Sequence, residues 1–194
     1  MRISRREAQK IVAENSIDFL SDDEVYAILS EYWIYDNVKE IKEDIEKGDL
    51  PILKEEVISF LSSYPLPQQP DRNFFKPLII DYQVVLLDRV LNSYLEGKLK
   101  GYGIDATIEG KPKKTDRCPC CKYYSLAPGD GGKWDICTVC FWENGGSGPN
   151  RMTLFEAQNN FKQFGAINKD ALAYIDQEGS QKYTKESVII YETL

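Results

Sequence analysis

The stretch CPCCKYYSLAPGDGGKWDICTVC, residues 118–140, decides how the second half of this chain folds. It contains two Cys-x-x-Cys pairs, Cys118 with Cys121 and Cys137 with Cys140, separated by fifteen residues. Each pair places two sulfurs on one side of a tight turn, and two such turns facing each other supply four thiolates at tetrahedral positions. Because the spacing is typical of a zinc ribbon, we predict one Zn²⁺ held by these four cysteines.

The predicted metal is structural, since four protein ligands leave no coordination position for water or a substrate. Its binding would contribute directly to the folding of the module. A rubredoxin-like iron site and a metal-free cluster stay open as alternatives. Zn²⁺ with four thiolates carries a formal charge of about −2, and Arg117, Lys122 and Lys133 are close enough in sequence to offset it.

The residues around the two pairs make three further predictions. Residues 123–126 and 133–136 are expected to be the strands of one hairpin, joined by the turn-forming residues 128–132. The fifth cysteine, Cys120, is either a reactive redox thiol or a small residue that packs inside the turn. Lys122 and Phe141 follow the second cysteines where glycine is common, so some backbone strain is expected at both.

The first part of the chain predicts an all-helical domain over residues 1–105. Ser4 with Glu7 and Ser21 with Glu24 have the spacing of a capping box, and each pair opens a helix. Gly48 is placed to end another helix. The predicted helices lie near 5–14, after 21, over 37–47, around 57–61 and, as the longest pattern, over 77–100.

The remainder predicts a linker and a small module. Residues 106–116 are assigned to the linker, within a polar stretch that also suits an edge strand, and 117–194 to the cysteine-rich module. Thr153 with Glu156 opens a helix, and the tail predicts a short helix near 170–175 and a strand SVIIYE. The fold class is therefore α+β and mostly helical, with a zinc-ribbon-like (rubredoxin-knuckle) module closed by a helix.

Several ordered strings of this module resemble the bacterial cysteine-rich CPCC domain family. They are CPCC at 118–121, ICTVCFWEN at 136–144, GPN at 148–150 and MTLFEAQNNFKQFGA at 152–166. The resemblance covers roughly residues 116–175 and implies a small zinc-ribbon-like module closed by a helix, with the two cysteine pairs matching those of the family. Lys122 replaces the usual glycine, and the segment after Tyr174 lacks the expected basic, proline-containing ending. The family supplies no settled activity.

The module is also rich in aromatic side chains for its size. We expect them to form a core that shields the sulfurs. A surface platform for nucleotides or a partner is the alternative. The six side chains are Trp134, Phe141, Trp142, Phe155, Phe161 and Phe164.

Composition excludes several kinds of enzyme. The 194 residues include no histidine, which removes Ser-His-Asp and Cys-His nucleophilic systems and His-ligated zinc hydrolase sites. The sequence also lacks a Gly-rich phosphate loop, GxSxG and HExxH. We therefore expect a protein that is not an enzyme. The first sixteen residues do not have a signal-peptide pattern, and no apolar run reaches a membrane span, so a cytoplasmic location is expected.

Acidic residues dominate one region of the chain. The net charge is −7, and residues 14–56 alone contain 14 acidic and 4 basic side chains, a net charge of −10. This region is either a solvated helical face or a docking surface for a basic protein, such as the toxin domain that an immunity-type protein neutralises. The candidate partner-binding residues are Asp22, Asp23, Glu24, Trp33, Tyr35, Glu40, Glu43 and Asp44.

A nucleic-acid-binding accessory protein is the alternative function. The only basic segment of the sequence that suits this function contains Lys111, Lys113, Lys114 and Arg117, next to the cysteine module. These cations suit phosphate contacts, but they equally solubilise a loop or offset the thiolates. Because the sequence pI is near 4.8, broad nonspecific binding to nucleic acid is not expected.

Overall fold

The fold is described by a computed structural model that covers residues 1–129, 132–145 and 147–186. Its internal contacts divide the chain into two units. The first contains Met1–Asp88 and Lys98–Ile108, and the second contains Arg89–Gly97 and the described residues from Glu109 onward. The architecture is mostly helical with few short strands, as the sequence predicts. The domain bounds drawn from the sequence stay a prediction.

Local capping signals mark several helix ends of the first unit. Ser21 accepts the N–H of Glu24, whose carboxylate accepts the Ser21 N–H in return, so the capping box is complete. Gly48, at φ 82°, ends the third helix in a left-handed conformation. The helices are α1 Arg5–Ser16, α2 Asp22–Ser30, α3 Val38–Lys47, α4 Glu55–Ser63 and α5 Lys76–Leu86.

One hydrophobic core joins four of these helices, α2 to α5. It is built from buried aliphatic side chains of α2 to α5, with Phe75 at 1% exposure among its largest members. The Phe75 ring makes edge-to-face contacts with Trp33 and Phe60, at centroid distances of 5.5 and 5.6 Å. Burial of this apolar surface supplies most of the stability of the helical unit.

The single long helix predicted over 77–100 is wrong. The chain forms α5, a 3-10 turn at Leu87–Arg89, and a separate helix α6 at Asn92–Gly101. The interruption coincides with long-range hydrogen bonds: Arg5 donates to the Leu87 and Asp88 carbonyls at 2.7 and 3.0 Å. Gln9 donates to the Asp88 carboxylate at 2.8 Å. Helical periodicity cannot reveal partners that lie about eighty residues away.

We expect Arg5→Met to destabilise the first unit. Burial lowers the pKa of the Arg5 guanidinium, although the nearby Asp88 charge opposes this shift. Because burial removes water from the charged group, its hydrogen bonds to protein carbonyls are needed to compensate the loss of solvation. Methionine keeps the apolar stem but leaves two carbonyls without these donors, at a cost of about 2 kcal/mol. Urea unfolding followed by helical circular dichroism measures the decrease. The exposed neighbour supplies the control, Arg6→Met, and an equal effect of both variants would contradict this role.

The strands are short and form two separate two-stranded sheets, one between distant segments of the chain and one local. β1 Arg2–Ser4 pairs with β2 Thr107–Glu109, which lies in the stretch predicted as a linker or an edge strand. β3 Asp116–Arg117 pairs antiparallel with β4 Tyr124–Leu126.

The remaining helices are α7 Ser147–Asn150, α8 Leu154–Phe164 and α9 Gly179–Lys182, with a 3-10 turn at Asp170–Ala173.

The predicted hairpin between residues 123–126 and 133–136 is wrong. β4 pairs with β3 instead, and Ile136 bridges to Glu143. Trp134 has φ 67°, a left-handed conformation that does not continue a strand. Each strand segment therefore pairs across its own cysteine turn rather than across the loop. The predicted strand SVIIYE lies outside the described residues.

α8 follows its sequence signals closely. Thr153 and Glu156 form a complete capping box, and Gly165 ends the helix at φ 89°. Arg89–Gly97 belongs to the second unit by its internal contacts, which include a hydrogen bond from the Leu91 N–H to the Lys182 carbonyl at 2.9 Å. Within the described residues, no helix is both long and apolar enough to cross a membrane.

Candidate metal centre

Two equivalent turns carry the four paired cysteines. In the first turn, Cys118 N–H donates to the Tyr123 carbonyl at 2.8 Å, and Lys122 N–H donates to the Cys118 carbonyl at 3.0 Å. The second turn repeats this pattern: Cys137 N–H donates to the Trp142 carbonyl, and Phe141 N–H to the Cys137 carbonyl. We refer to these turns, residues 118–123 and 137–142, as the two knuckles.

Both knuckles close with a non-glycine residue in the left-handed region. Lys122 has φ 70° and Phe141 has φ 67°, as their position after the second cysteine predicts. Each has a side-chain contact that favours its position. Lys122 Nζ donates to the Pro119 carbonyl at 2.6 Å, and the Phe141 ring lies 5.4 Å from that of Tyr174.

Comparing Lys122→Gly with Lys122→Ala isolates the cost of the left-handed backbone. Both variants lose the contact with Pro119, but only alanine keeps a Cβ, so we expect the glycine variant to be more stable by about 1 kcal/mol. Thermal unfolding at a fixed metal concentration measures the difference. The matched pair Lys162→Gly and Lys162→Ala, on helix α8, should show the opposite order. If Lys122→Ala is more stable than Lys122→Gly, as we expect for the Lys162 pair, the result contradicts backbone strain at this knuckle.

The knuckles bring four sulfurs together in the interior. Cys118 Sγ lies 3.7 Å from Cys140 Sγ, and Cys121 Sγ lies 3.6 Å from Cys137 Sγ. All four ligand atoms lie within 4.8 Å of one another, and all four residues are buried. A tetrahedral zinc site with Zn–S bonds of about 2.3 Å requires sulfur–sulfur distances of about 3.8 Å. The four cysteines could therefore bind one metal ion.

The four thiols influence one another's protonation through hydrogen bonds within the cluster. Hydrogen bonds from Cys118 and Cys121 lower the pKa of the Cys137 thiol, while the Cys121 and Cys140 thiols have a raised pKa because they donate within the cluster. Four buried thiols thus cannot all ionise together without a compensating positive charge. A divalent metal supplies that charge and turns all four sulfurs into thiolates.

Side chains that sequence reasoning missed support the knuckles. The Ser125 hydroxyl lies 3.1 Å from Cys137 Sγ in the interior. Gln158 Nε2, on helix α8, donates to the Pro119 carbonyl at 2.9 Å. The Asn150 side chain both accepts from Glu143 N–H and donates to the Glu143 carbonyl. Such outer contacts fix the orientation of metal ligands. Only Asn150 had a signal in the sequence, as part of the GPN string.

The aromatic core is confirmed for four of its six predicted members. Trp142 is 2% exposed, and Phe141, Phe161 and Phe164 pack against the cluster of buried cysteines. Trp134 and Phe155 are instead 61% and 71% exposed, so their assignment to the core is wrong. Phe155 lies in the first turn of α8 on its exposed side, whereas Ala157 faces the core.

Cys120 is buried with the other cysteines but is not one of the four clustered ligands.

The predicted partner-binding residues lie in the first unit, where many have contacts within the protein. Trp33 is half-buried, and its Nε1 donates to the Tyr64 carbonyl at 2.9 Å. The Tyr35 hydroxyl donates to the Asp44 carboxylate at 2.9 Å, and burial together with this bond raises the pKa of Tyr35 to about 12. Asp22 pairs with Arg72 at 2.6 Å. These two aromatic rings therefore serve the fold.

The remaining predicted residues are carboxylates at the surface. Glu24 and Glu40 are exposed at helix starts. The Glu24 carboxylate accepts the Ser21 N–H, and the Glu40 carboxylate accepts a hydrogen bond from the Asn37 side chain. Glu43 is half-exposed and pairs only with Lys39 in the described residues, at 3.3 Å. Asp23 is exposed as well. The carboxylates, unlike Trp33 and Tyr35, leave charge available at the surface.

Of the basic segment near the module, Arg117 is part of strand β3. Its Nε donates to the Lys122 carbonyl at 3.1 Å, which stabilises the first knuckle. Lys122 is also engaged within that knuckle, and Lys133 Nζ lies 5.9 Å from the centre of the Trp134 ring. The three cations proposed to offset the thiolates thus have other contacts as well.

The second unit is a four-cysteine, two-knuckle module closed by a helix. Residues 116–181 match the model of the family described as Cysteine-rich CPCC, which confirms the resemblance seen in the sequence for this part of the chain. The match includes both knuckles and helix α8. Comparisons with curated proteins and with solved structures return no match.

Proposed function

We propose that this chain is a noncatalytic protein whose second unit is built around one structural Zn²⁺. The sulfur cluster carries the proposal, because its 3.6 and 3.7 Å separations suit a tetrahedral thiolate site. Zinc is favoured over iron as the commoner ion in closed four-cysteine sites. The residues that would hold it are Cys118, Cys121, Cys137 and Cys140.

Burial supports a structural rather than a catalytic metal. Cys118, Cys137 and Cys140 are fully buried, and Cys121 is 2% exposed. With four protein ligands, the ion would have no position left for water or substrate. Its role would be to join the two knuckles and to convert binding energy into folding energy. Metal analysis of the purified protein tests this: we expect one zinc per chain, whereas bound iron or the absence of metal would contradict it.

We further propose that the acidic surface of the first unit binds a basic protein. An immunity-type protein that neutralises a toxin domain is the specific form of this proposal. Its support is the net charge of −10 over residues 14–56 and the exposure of Asp23, Glu40 and Glu46. Complementary charge of this kind raises association rates and selects partners.

Charge reversal on this surface tests the proposal. We expect Glu43→Lys with Glu46→Lys to weaken binding to a basic toxin domain by tenfold or more, mainly through slower association. Glu43 and Glu46 are on α3 and neither belongs to the core, so the fold should persist. Surface plasmon resonance at two salt concentrations measures the rates.

The matched control has the same change in charge on the other unit. Asp170→Lys with Glu186→Lys replaces two exposed carboxylates of the second unit. This control should bind like the unmodified protein. An equal loss of affinity in both double variants would show that only the net charge of the chain matters, which contradicts a specific docking surface. No loss of affinity in either variant would also contradict docking through the acidic surface.

A further inference from the structure

The first unit contains a cavity of about 620 Å³ that neither the metal centre nor the acidic surface explains. Its walls come from α1, from the loop before α4, and from α5. Sites for small organic molecules commonly have volumes of about 300–1,000 Å³. The cavity therefore has the size of a ligand site, and the chemistry of its lining indicates what it would take.

Cations outnumber carboxylates in this lining. Arg6, Lys10, Lys54 and Lys76 face Glu14 and Asp81 around the cavity, a net charge of +2. The sign is the reverse of the surrounding sequence, since residues 14–56 have a net charge of −10. A local reversal of sign inside an acidic unit creates a field that attracts anions to this place.

Three of these cations are outside any ion pair. Arg6 lies 3.6 Å from the Asp81 carboxylate, but Lys10, Lys54 and Lys76 make no ion pair with any residue that the structure describes. All three are exposed. Their ammonium groups are therefore available to an incoming anion without breaking an existing pair.

The lining between the charges is apolar. Leu50, Val57 and Val84 are buried at its base, and Phe74 and Ile80 are half-buried beside them. Ile52 is also in the lining and is 89% exposed, so it has apolar surface still to be covered. An inorganic anion would satisfy the lysines but leave this apolar surface in water.

The two helices that begin at the cavity add to its positive field. Lys54 is the N-cap of α4, and Lys76 is the first residue of α5. Neither helix has a side-chain capping hydrogen bond at its start. The positive ends of both helix dipoles thus coincide with the two lysines, and only α4 has carboxylates, Glu55 and Glu56, in its first turn to oppose this field.

We infer that this cavity binds an anionic amphiphile, a small molecule with a carboxylate or phosphate head and an apolar body. The head would lie between Lys54 and Lys76, and the body would cover Ile52 and the apolar base. The lysines give the site its preference for anions and the aliphatic lining its preference for a chain. This inference concerns the first unit and does not depend on the zinc site.

Isothermal titration of the full-length protein with decanoate, below its micelle concentration, tests the inference. We expect saturable binding of one decanoate per chain. Decanol has the same chain without the charge and should bind at least tenfold more weakly. Lys54→Ala with Lys76→Ala should reduce decanoate affinity at least tenfold, while leaving the weak binding of decanol unchanged. Circular dichroism confirms that the double variant keeps its helices.

The matched control is Lys39→Ala with Lys100→Ala, which removes two exposed lysines of the same unit that lie outside the lining. This control should bind decanoate like the unmodified protein. Decyl phosphate should replace decanoate, whereas inorganic phosphate alone should not compete. Equal binding of decanol and decanoate, an equal decrease in both double variants, or binding to anionic phospholipid vesicles without binding of decanoate would each overturn the inference.

Discussion

Cys137→Ser is expected to abolish metal binding and to unfold the knuckle module. Cys137 is fully buried, accepts hydrogen bonds from neighbouring thiols and lies 3.6 Å from Cys121 Sγ. Structural zinc in small modules contributes an apparent binding free energy of about 10–16 kcal/mol. Losing one of four thiolates removes most of this energy, and the module has only a small apolar core with which to compensate.

Two measurements follow this change. Zinc per chain, determined by mass spectrometry, should fall from one towards zero, and the near-ultraviolet circular dichroism of the buried Trp142 should collapse. Helical signal from the first unit should persist, because its core is built from residues of α2 to α5. A variant that still holds one zinc per chain would show that Cys137 is not a ligand.

Cys120→Ser is the matched control for this substitution. Cys120 is 3% exposed and lies between the ligands of the first knuckle, but it is not among the four clustered sulfurs. We expect this variant to keep one zinc and its tertiary signal, with only a modest decrease in stability. Loss of zinc here as well would mean that the ligand set derived from the spacing is incomplete.

The sequence predicts several helices of both units well because their signals are local. The capping residues Ser4, Ser21 and Thr153 bond only three positions away, and Gly48 and Gly165 adopt the left-handed conformation that ends a helix. These contacts are complete within a few residues, so a pattern read along the chain contains all of the information needed.

The break between α5 and α6 could not be predicted in this way. Residues 77–100 have helical periodicity throughout, and nothing in them marks the turn at Leu87–Arg89. The partners at the turn are Arg5 and Gln9, which lie on α1 far away in the sequence. Tertiary hydrogen bonds of this kind override local propensity.

At the candidate metal centre as well, local features are predictable from the sequence and long-range contacts are not. The two Cys-x-x-Cys spacings identify the four clustered residues, because each pair is confined to one tight turn. The strand pairing expected from the sequence is wrong, since Tyr124–Leu126 pairs with Asp116–Arg117 rather than with residues 133–136. Ser125 and Gln158 reach the knuckles only through the folded arrangement, so no spacing rule indicates them.

Phe75→Ala is expected to produce the largest decrease in stability of the helical unit. The Phe75 ring is 1% exposed and contacts three other aromatic rings, those of Trp33, Phe60 and Phe74, at 4.8 to 5.6 Å between centroids. Truncating a buried phenylalanine removes its apolar burial and leaves a cavity, at a cost of about 3–5 kcal/mol. The variant also forgoes the edge-to-face attraction between the rings, which adds to that cost.

Phe19→Ala supplies the matched control, because Phe19 is 86% exposed in the same unit. Urea unfolding followed by helical circular dichroism should give a change within about 0.5 kcal/mol for this variant. Phe75→Ala should still bind one zinc, since all four clustered cysteines lie in residues 118–140. Similar decreases in the two variants would contradict the core described for this unit. Together with Cys137→Ser, this pair separates two sources of stability: apolar packing in the first unit and thiolate ligation in the second.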